Sequence, residues 1–330
     1  MVREGCIRAG VVGVGSMGEN HARIYSQLPG VELVGVFDID YLKAAVVAKK
    51  YGTNAFRDLN QMLDSCVDVV SITVPASRHH EVVSYCARAG CHILLEKPIA
   101  AELSQAEMIL QECELNGVRL MVGHVERFNS VVQAVKELLK AEDVISLSFT
   151  RVGPKPPRVK DVGVIKDMGV HDIDLLRYLT GREIISIYSL VANDYSSKSG
   201  EYGKEDIGII AFELEGGILA HLSVNWVTPY KVRKMEIATV YGYIEADLLN
   251  RKAHFYNRGK RGIDHDHSEM NVTWEEPLER EIRVFLDCLM SGNEFPVSVS
   301  DALKALEIAH VCSSNHGRLV TFHSNYGSKS

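Results

Sequence analysis

The sequence predicts an α/β chain, with an N-terminal Rossmann domain and a C-terminal α+β domain on an open, mostly antiparallel sheet. Three observations carry this. Roughly the first 120 residues alternate apolar β-rich runs with helical spacing, the pattern of repeated βαβ units on a parallel sheet. A glycine-rich turn, Gly13-Val14-Gly15-Ser16-Met17-Gly18, stands between the first such run and the first helix. Further on, the texture changes to short β runs separated by hairpin-turn pairs such as Gly216-Gly217 and Tyr241-Gly242.

Each element has a local reason. Ile7 to Val14 is an apolar run long enough for a buried strand, and Ser16 to Leu28 has helical spacing. Val31 to Phe37 reads as a second strand and Tyr41 to Tyr51 as a second helix. Asp68 to Val74 is a third strand, closed by Pro75, which cannot donate to a ladder. His79 to Ala89 is helical up to Gly90, His92 to Leu95 is a strand, and Ser104 is placed to cap a helix running to Asn116-Gly117. Arg119 to Gly123 closes this half. In the second half, Val144 to Thr150, Ile184 to Val191, Ile207 to Leu214, Ile218 to Val224, Met235 to Val240 and Tyr243 to Leu248 read as strands. Ile165 to Leu179 reads as a helix stopped by Gly181, and two late helices cover Glu279 to Met290 and Ser300 to Ser313. The predicted domains are 1–124 and 125–330, with the last helices free to pack back on the first domain.

Composition narrows the function classes. Hydrophobic residues make up 46% and charged residues 24% of 330, enough for a sizeable core. The net charge of -7 argues against a nucleic-acid partner, which a basic surface would serve. No stretch approaches the ~20 apolar residues of a membrane span, and the first residues lack an apolar signal core, so a cytoplasmic protein is expected. The seven scattered cysteines fit reduced structural thiols. His265-Asp266-His267 has metal-ligand chemistry, but a solvated loop is the better reading beside Arg258-Gly259-Lys260-Arg261-Gly262, and no resident metal is expected.

The glycine turn has the G-x-G-x-x-G spacing of a dinucleotide site, placed between a strand and a helix as that chemistry requires. Gly13 permits the tight turn, Gly15 lets the pyrophosphate approach the backbone, and Gly18 lets helix and strand pack closely. Ser16 and Met17 open the helix, whose free N–H groups and dipole favour phosphates. Asp38, 20 residues after Gly18, ends the second strand. An acid there accepts from a ribose 2′-hydroxyl and repels a 2′-phosphate, so NAD is the expected cofactor.

Two further groups carry chemistry. Glu96-Lys97-Pro98 ends a strand of the parallel sheet, where ligands bind in such folds, and Pro98 turns the chain so that Lys97 points into the cleft. Asp167, His171 and Asp174 are spaced four and three apart, along one face of the expected helix. A histidine flanked by carboxylates suits a general base near neutral pH.

Taken in order, the glycine turn, Val74-Pro75-Ala76-Ser77-Arg78-His79, Glu96-Lys97-Pro98, Arg127-Phe128, Asp167-x-Gly169-x-His171-x-x-Asp174 and Asp301 to Glu307 resemble the Gfo/Idh/MocA family of sugar and inositol dehydrogenases. The resemblance spans essentially the whole chain. It implies a bound nicotinamide cofactor contacted by Gly13, Gly15, Ser16, Met17, Gly18, Asp38, Val74, Pro75, His79, Glu96 and Lys97. It implies catalysis by Lys97, Asp167 and His171, and a homodimer or homotetramer joined through the sheets. The strand-end motif usually reads Thr-Pro-Asn, and here it is Val74-Pro75-Ala76, which changes the side-chain contacts at that turn.

Residues 151–160 hold four basic residues, Arg151, Lys155, Arg158 and Lys160, and no acid. A basic loop beside a cleft suits a phosphate-bearing substrate. Together with Arg127, His171 and Asp174 these are the expected substrate contacts. The segment from Arg151 to Arg177 resembles the branch acting on UDP-N-acetylglucosamine-type substrates at the 3-hydroxyl. That implies NAD-dependent oxidation of a sugar nucleotide to its 3-keto form. The alternatives are oxidation of myo-inositol or another free polyol and, from another class, an NAD-binding regulator without catalysis.

Overall fold

Residues of β1 (Ile7–Val12) and β4 (Val69–Ile72) are buried almost throughout, the requirement for strands with helices on both faces. The computed structural model describes residues 6–157, 159, 161–193, 204–258 and 265–322. The chain divides into two units, Met1–Val125 with Glu276–Leu306, and Glu126–Glu275 with Glu307–Ser330.

In the first unit, β1 is followed by α1 (Ser16–Gln27), β2 (Val31–Phe37), α2 (Tyr41–Tyr51), β3 (Asn54–Phe56) and α3 (Leu59–Leu63). After β4 come α4 (His79–Arg88), β5 (His92–Glu96), α5 (Leu103–Leu115) and β6 (Leu120–Gly123). The six strands are parallel in the order β3-β2-β1-β4-β5-β6. The order reverses between β1 and β4, which places a ligand crevice outside the carboxyl ends of those strands. Helix boundaries follow capping chemistry. Asp40 caps α2 by accepting from the Leu42 N–H at 3.2 Å, and Gly52 ends it at φ 68°. Helix α5 departs from expectation. It begins at Leu103 behind Glu102, so Ser104 lies inside the first turn and is not the cap.

The second unit opens with α6 (Ser130–Leu138) and β7 (Val144–Pro154), then α7 (Val170–Thr180), β8 (Ile184–Ala192), β9 (Ile207–Leu214) and β10 (Ile218–Asn225). Next come β11 (Val227–Thr239), β12 (Gly242–Asp247), β13 (Lys252–Arg258) and β14 (His265–Glu269). Helix α8 (Pro277–Ser291) returns to the first unit, α9 (Val299–Ser314) begins there and ends in the second, and β15 (Leu319–Thr321) is the last strand. The nine strands run β14-β13-β12-β11-β7-β10-β9-β8-β15, antiparallel except where β7 meets β10. In β9 and β10 burial alternates strictly, giving one covered face and one open face.

Three expectations need correction here. The triplet at 265–267 belongs to a strand paired with β13 and not to a loop. β11 begins eight residues before the expected Met235, because its polar, Pro229-containing start faces outward where hydrophobic alternation gives no signal. The expected helix from Ile165 is two structures, a π-helical turn at Ile165–Gly169 and then α7. Glu205 caps the start of the π turn. Its carboxylate accepts from the Ile165 N–H at 3.0 Å, and it fits only because residue 163 is glycine, where a Cβ would stand 2.3 Å from it. No described helix is long and apolar enough to cross a membrane.

Candidate active site

The glycine turn of the first unit has the geometry a dinucleotide needs. Gly13 has φ 86°, and a Cβ on it would lie 2.8 Å from Val74. A Cβ on Gly18 would lie 1.9 Å from the Gly13 carbonyl oxygen, so any side chain there would force α1 off the sheet. A Cβ on Gly15 would meet nothing within 4 Å. Packing therefore fixes Gly13 and Gly18, while Gly15 leaves clear space above the backbone, where a pyrophosphate fits. Ser16 is exposed and Met17 half-buried, at the first turn of α1 with its unbonded N–H groups. The Asp38 carboxylate accepts from the Val14 N–H at 2.8 Å and the Asp40 N–H at 2.9 Å. These bonds fix its orientation and leave acceptor capacity for ribose hydroxyls. The residues present fit NAD.

Lys97 follows β5 directly, is half-buried, and joins Pro98 through a cis peptide. Beneath it runs a buried polar chain. Glu96 accepts from the Lys97 N–H at 3.2 Å and stands 3.4 Å from His21 Nε2. His21 Nδ1 meets the Ser71 hydroxyl at 2.8 Å, and the Tyr25 hydroxyl meets the same group at 2.9 Å. Burial opposes the Glu96 charge, yet His21 and Lys97 hold its pKa below the usual carboxylate value. Glu281 of α8, within electrostatic reach of Glu96, is fully buried, and neither of its carboxyl oxygens has a hydrogen-bond partner among the described residues. Burial first, and Glu96 second, push its pKa well above the carboxylate range.

In the second unit the π turn carries Asp167, which is buried, and α7 carries His171, which is half-buried. The two stand on either side of the change from π to α geometry. Around them lies a lattice of buried charge. Arg151 forms a fork on Asp172, Nε to Oδ2 at 2.7 Å and Nη2 to Oδ1 at 2.8 Å, and its Nη1 reaches Glu126 at 2.8 Å. Arg233 reaches the same Glu126 oxygen at 3.1 Å. Arg151 and Arg233 are cross-strand partners on β7 and β11, which brings both guanidinium groups to one face. Burial works against the Glu126 charge, but Arg151 and Arg233 outweigh it and lower its pKa. Arg127 forms a second fork on Asp174, at 2.7 and 2.6 Å.

These pairings revise several substrate assignments. Arg151 lies inside β7 and is 1% exposed, so its guanidinium is consumed by Asp172 and Glu126 and is closed to a substrate phosphate. Arg127 and Asp174 are buried against each other and hold the fold around α7. Lys155 is half exposed, at 2.9 Å from Asp206 and over the Trp226 ring. Arg158 and Lys160 lie outside the described residues. His79 is also not a free cofactor contact, since both ring nitrogens face main-chain carbonyls. The sequence reading missed Glu126, Asp172, Arg233 and Glu281. The arginine partners of Glu126 and Asp172 lie 21 to 107 residues away in sequence, so no local spacing points to them.

The Rossmann sheet and its glycine turn define a dinucleotide-binding protein. The chain belongs to the Gfo/Idh/MocA family. Residues 7–124 match that oxidoreductase family's NAD-binding Rossmann fold and residues 132–245 its C-terminal domain. More particularly, it is 30% identical over 294 residues to UDP-N-acetylglucosamine 3-dehydrogenase of Acidithiobacillus ferrooxidans, covering 86% of this chain and 88% of that one. The solved structure of that enzyme superposes with a TM-score of 0.84 at 28% identity, over 94% and 98% of the two chains. Inositol 2-dehydrogenase of Rhizobium meliloti is 27% identical, over 92% of this chain and 94% of its own. The protein is an NAD-dependent oxidoreductase acting on CH–OH groups.

Proposed function

We propose that the chain oxidises a secondary ring hydroxyl of a sugar nucleotide, UDP-N-acetylglucosamine at its 3-hydroxyl, to the keto form. The observation that carries the choice of an anionic substrate is Arg233. Its side chain is 37% exposed, it is anchored by one nitrogen to Glu126, and it lies within electrostatic reach of Asp167. A partly exposed guanidinium held on one side by a carboxylate is suited to a phosphate. The similarity to the Acidithiobacillus dehydrogenase supports the same substrate class.

In this reading His171 removes the proton of the reacting hydroxyl, and Lys97 donates a hydrogen bond to the oxygen as negative charge develops on it. Asp167 stabilises the charge that His171 gains. NAD, when bound, accepts the hydride. Chain self-association, as a dimer or tetramer, would use the open face of the sheet, where Tyr188, Leu190, Ile209, Leu219 and Tyr243 are exposed.

The competing polyol reading rests on the inositol dehydrogenase relatives. Following NAD reduction with UDP-N-acetylglucosamine and myo-inositol side by side separates the two. Turnover of the sugar nucleotide is expected, and turnover of inositol alone would reverse the assignment.

A further inference from the structure

His79 begins α4 and is 1% exposed. Its ring faces main chain on both edges. Nδ1 lies 3.2 Å from the Ile99 carbonyl oxygen and Nε2 lies 3.0 Å from the Val74 carbonyl oxygen. The Pro98 carbonyl is a further acceptor beside it. Carbonyl oxygens only accept, and a neutral imidazole carries one N–H. The neutral ring therefore holds one of these two oxygens and turns a lone pair toward the other. An imidazolium donates to both.

The two carbonyls belong to different parts of the cofactor half-site. Ile99 is two residues after Lys97. Val74 forms the wall against which Gly13 packs, and the neighbouring Thr73 hydroxyl donates to the Gly13 carbonyl oxygen. The His79 ring is thus the link between the lysine turn and the glycine turn.

We infer that His79 is a positioning residue that couples these turns through one proton, tying both when protonated and releasing one when neutral. Burial pushes its pKa below the usual histidine value, against the pull of the carbonyls of Ile99 and Val74 and of Glu96. Coupling therefore engages on the acid side of neutrality. Glu96, at the end of β5, is the charged group that bears on the ring, and its own charge is held by His21 of α1 and by Lys97. The inference rests on Lys97 as the catalytic lysine, but its test needs no substrate and so stands apart from the sugar assignment.

The test is NAD affinity measured by calorimetry from pH 8 to pH 5, for the full chain and for His79→Gln. Glutamine keeps a donor but has no titrating proton. The wild type should bind several-fold more tightly toward acid, and His79→Gln should show a flat profile. Equal slopes in the two proteins would overturn the inference. Should His79→Gln fail to fold, nitrogen NMR of histidine-labelled wild type without cofactor decides the matter. The His79 ring should pass from one protonated nitrogen to two within the folded protein. A ring that stays neutral until the chain unfolds contradicts the coupling.

Discussion

The two units build their half-sites by opposite means. The first uses main chain, with a glycine turn, a helix terminus and one lysine at a strand end, each marked by a short run of sequence. The second uses side chains, with Arg151 and Arg233 from two strands, Asp172 from α7 and Glu126 from the turn before α6, of which Arg151, Asp172 and Glu126 are buried. A backbone site tolerates loss of its reactive side chain, because the fold does not depend on it. A buried charge lattice does not, because each group left behind is an unpaired charge in low dielectric. Substitutions should accordingly cost activity in the first unit and stability in the second.

The largest expected effect is Lys97→Met, which should lose about 10²–10⁴-fold in kcat while NAD affinity and melting temperature stay near wild type. His171→Ala should fall comparably, with partial recovery at alkaline pH as hydroxide takes the base's role. Steady-state kinetics beside a cofactor titration checks both, and a near-normal kcat for either variant would remove it from the mechanism.

The mirror case is Arg151→Leu. It strands Asp172 and Glu126 without their main partner, a loss of roughly 3–5 kcal/mol for breaking a buried pair. Urea denaturation measures it directly. If the variant instead proves as stable as wild type and weakens only sugar-nucleotide binding, Arg151 is a ligand residue after all and the comparison fails.

Glu281 sharpens the contrast, since it is the one buried charge-bearing group of the first unit with neither carboxyl oxygen bonded among the described residues. Its folded pKa is raised above its unfolded value. Its contribution to stability is therefore complete below the ordinary carboxylate pKa and lost as pH rises toward the folded pKa, at about 1.4 kcal/mol per pH unit. Glu281→Gln, neutral at every pH, should flatten the decline of melting temperature as pH rises above the ordinary carboxylate range. An unchanged decline would place the pH dependence elsewhere.

This division also explains how far the sequence could be read. The cofactor turn was legible because its chemistry is local, with Gly13, Gly15, Gly18 and Asp38 each at a spacing that has one physical purpose. The Rossmann strands were legible because each is an unbroken apolar run. Asp167 and His171 were legible as residues, but the π turn that carries Asp167 was not. A π turn leaves no mark in apolar spacing, and the Glu205 carboxylate that meets its first N–H lies 40 residues downstream. Arg151 was misplaced for a related reason. Arginine in a basic run reads as solvated, and only the fold reveals that Asp172 and Glu126 bury it. Arg233 was invisible because its partner, Glu126, lies on a different element.

Arg233 carries the remaining and most direct test. With UDP-N-acetylglucosamine as substrate, Arg233→Gln should raise KM roughly tenfold, equivalent to about 1.4 kcal/mol. Added salt should weaken wild-type binding in the same direction, because the guanidinium is partly exposed and therefore screened. The deciding measurement is kcat/KM of wild type and Arg233→Gln on UDP-N-acetylglucosamine and on myo-inositol at two ionic strengths. The account predicts turnover of the sugar nucleotide, weakened by salt and by loss of Arg233. Turnover of myo-inositol alone, indifferent to both, would contradict it.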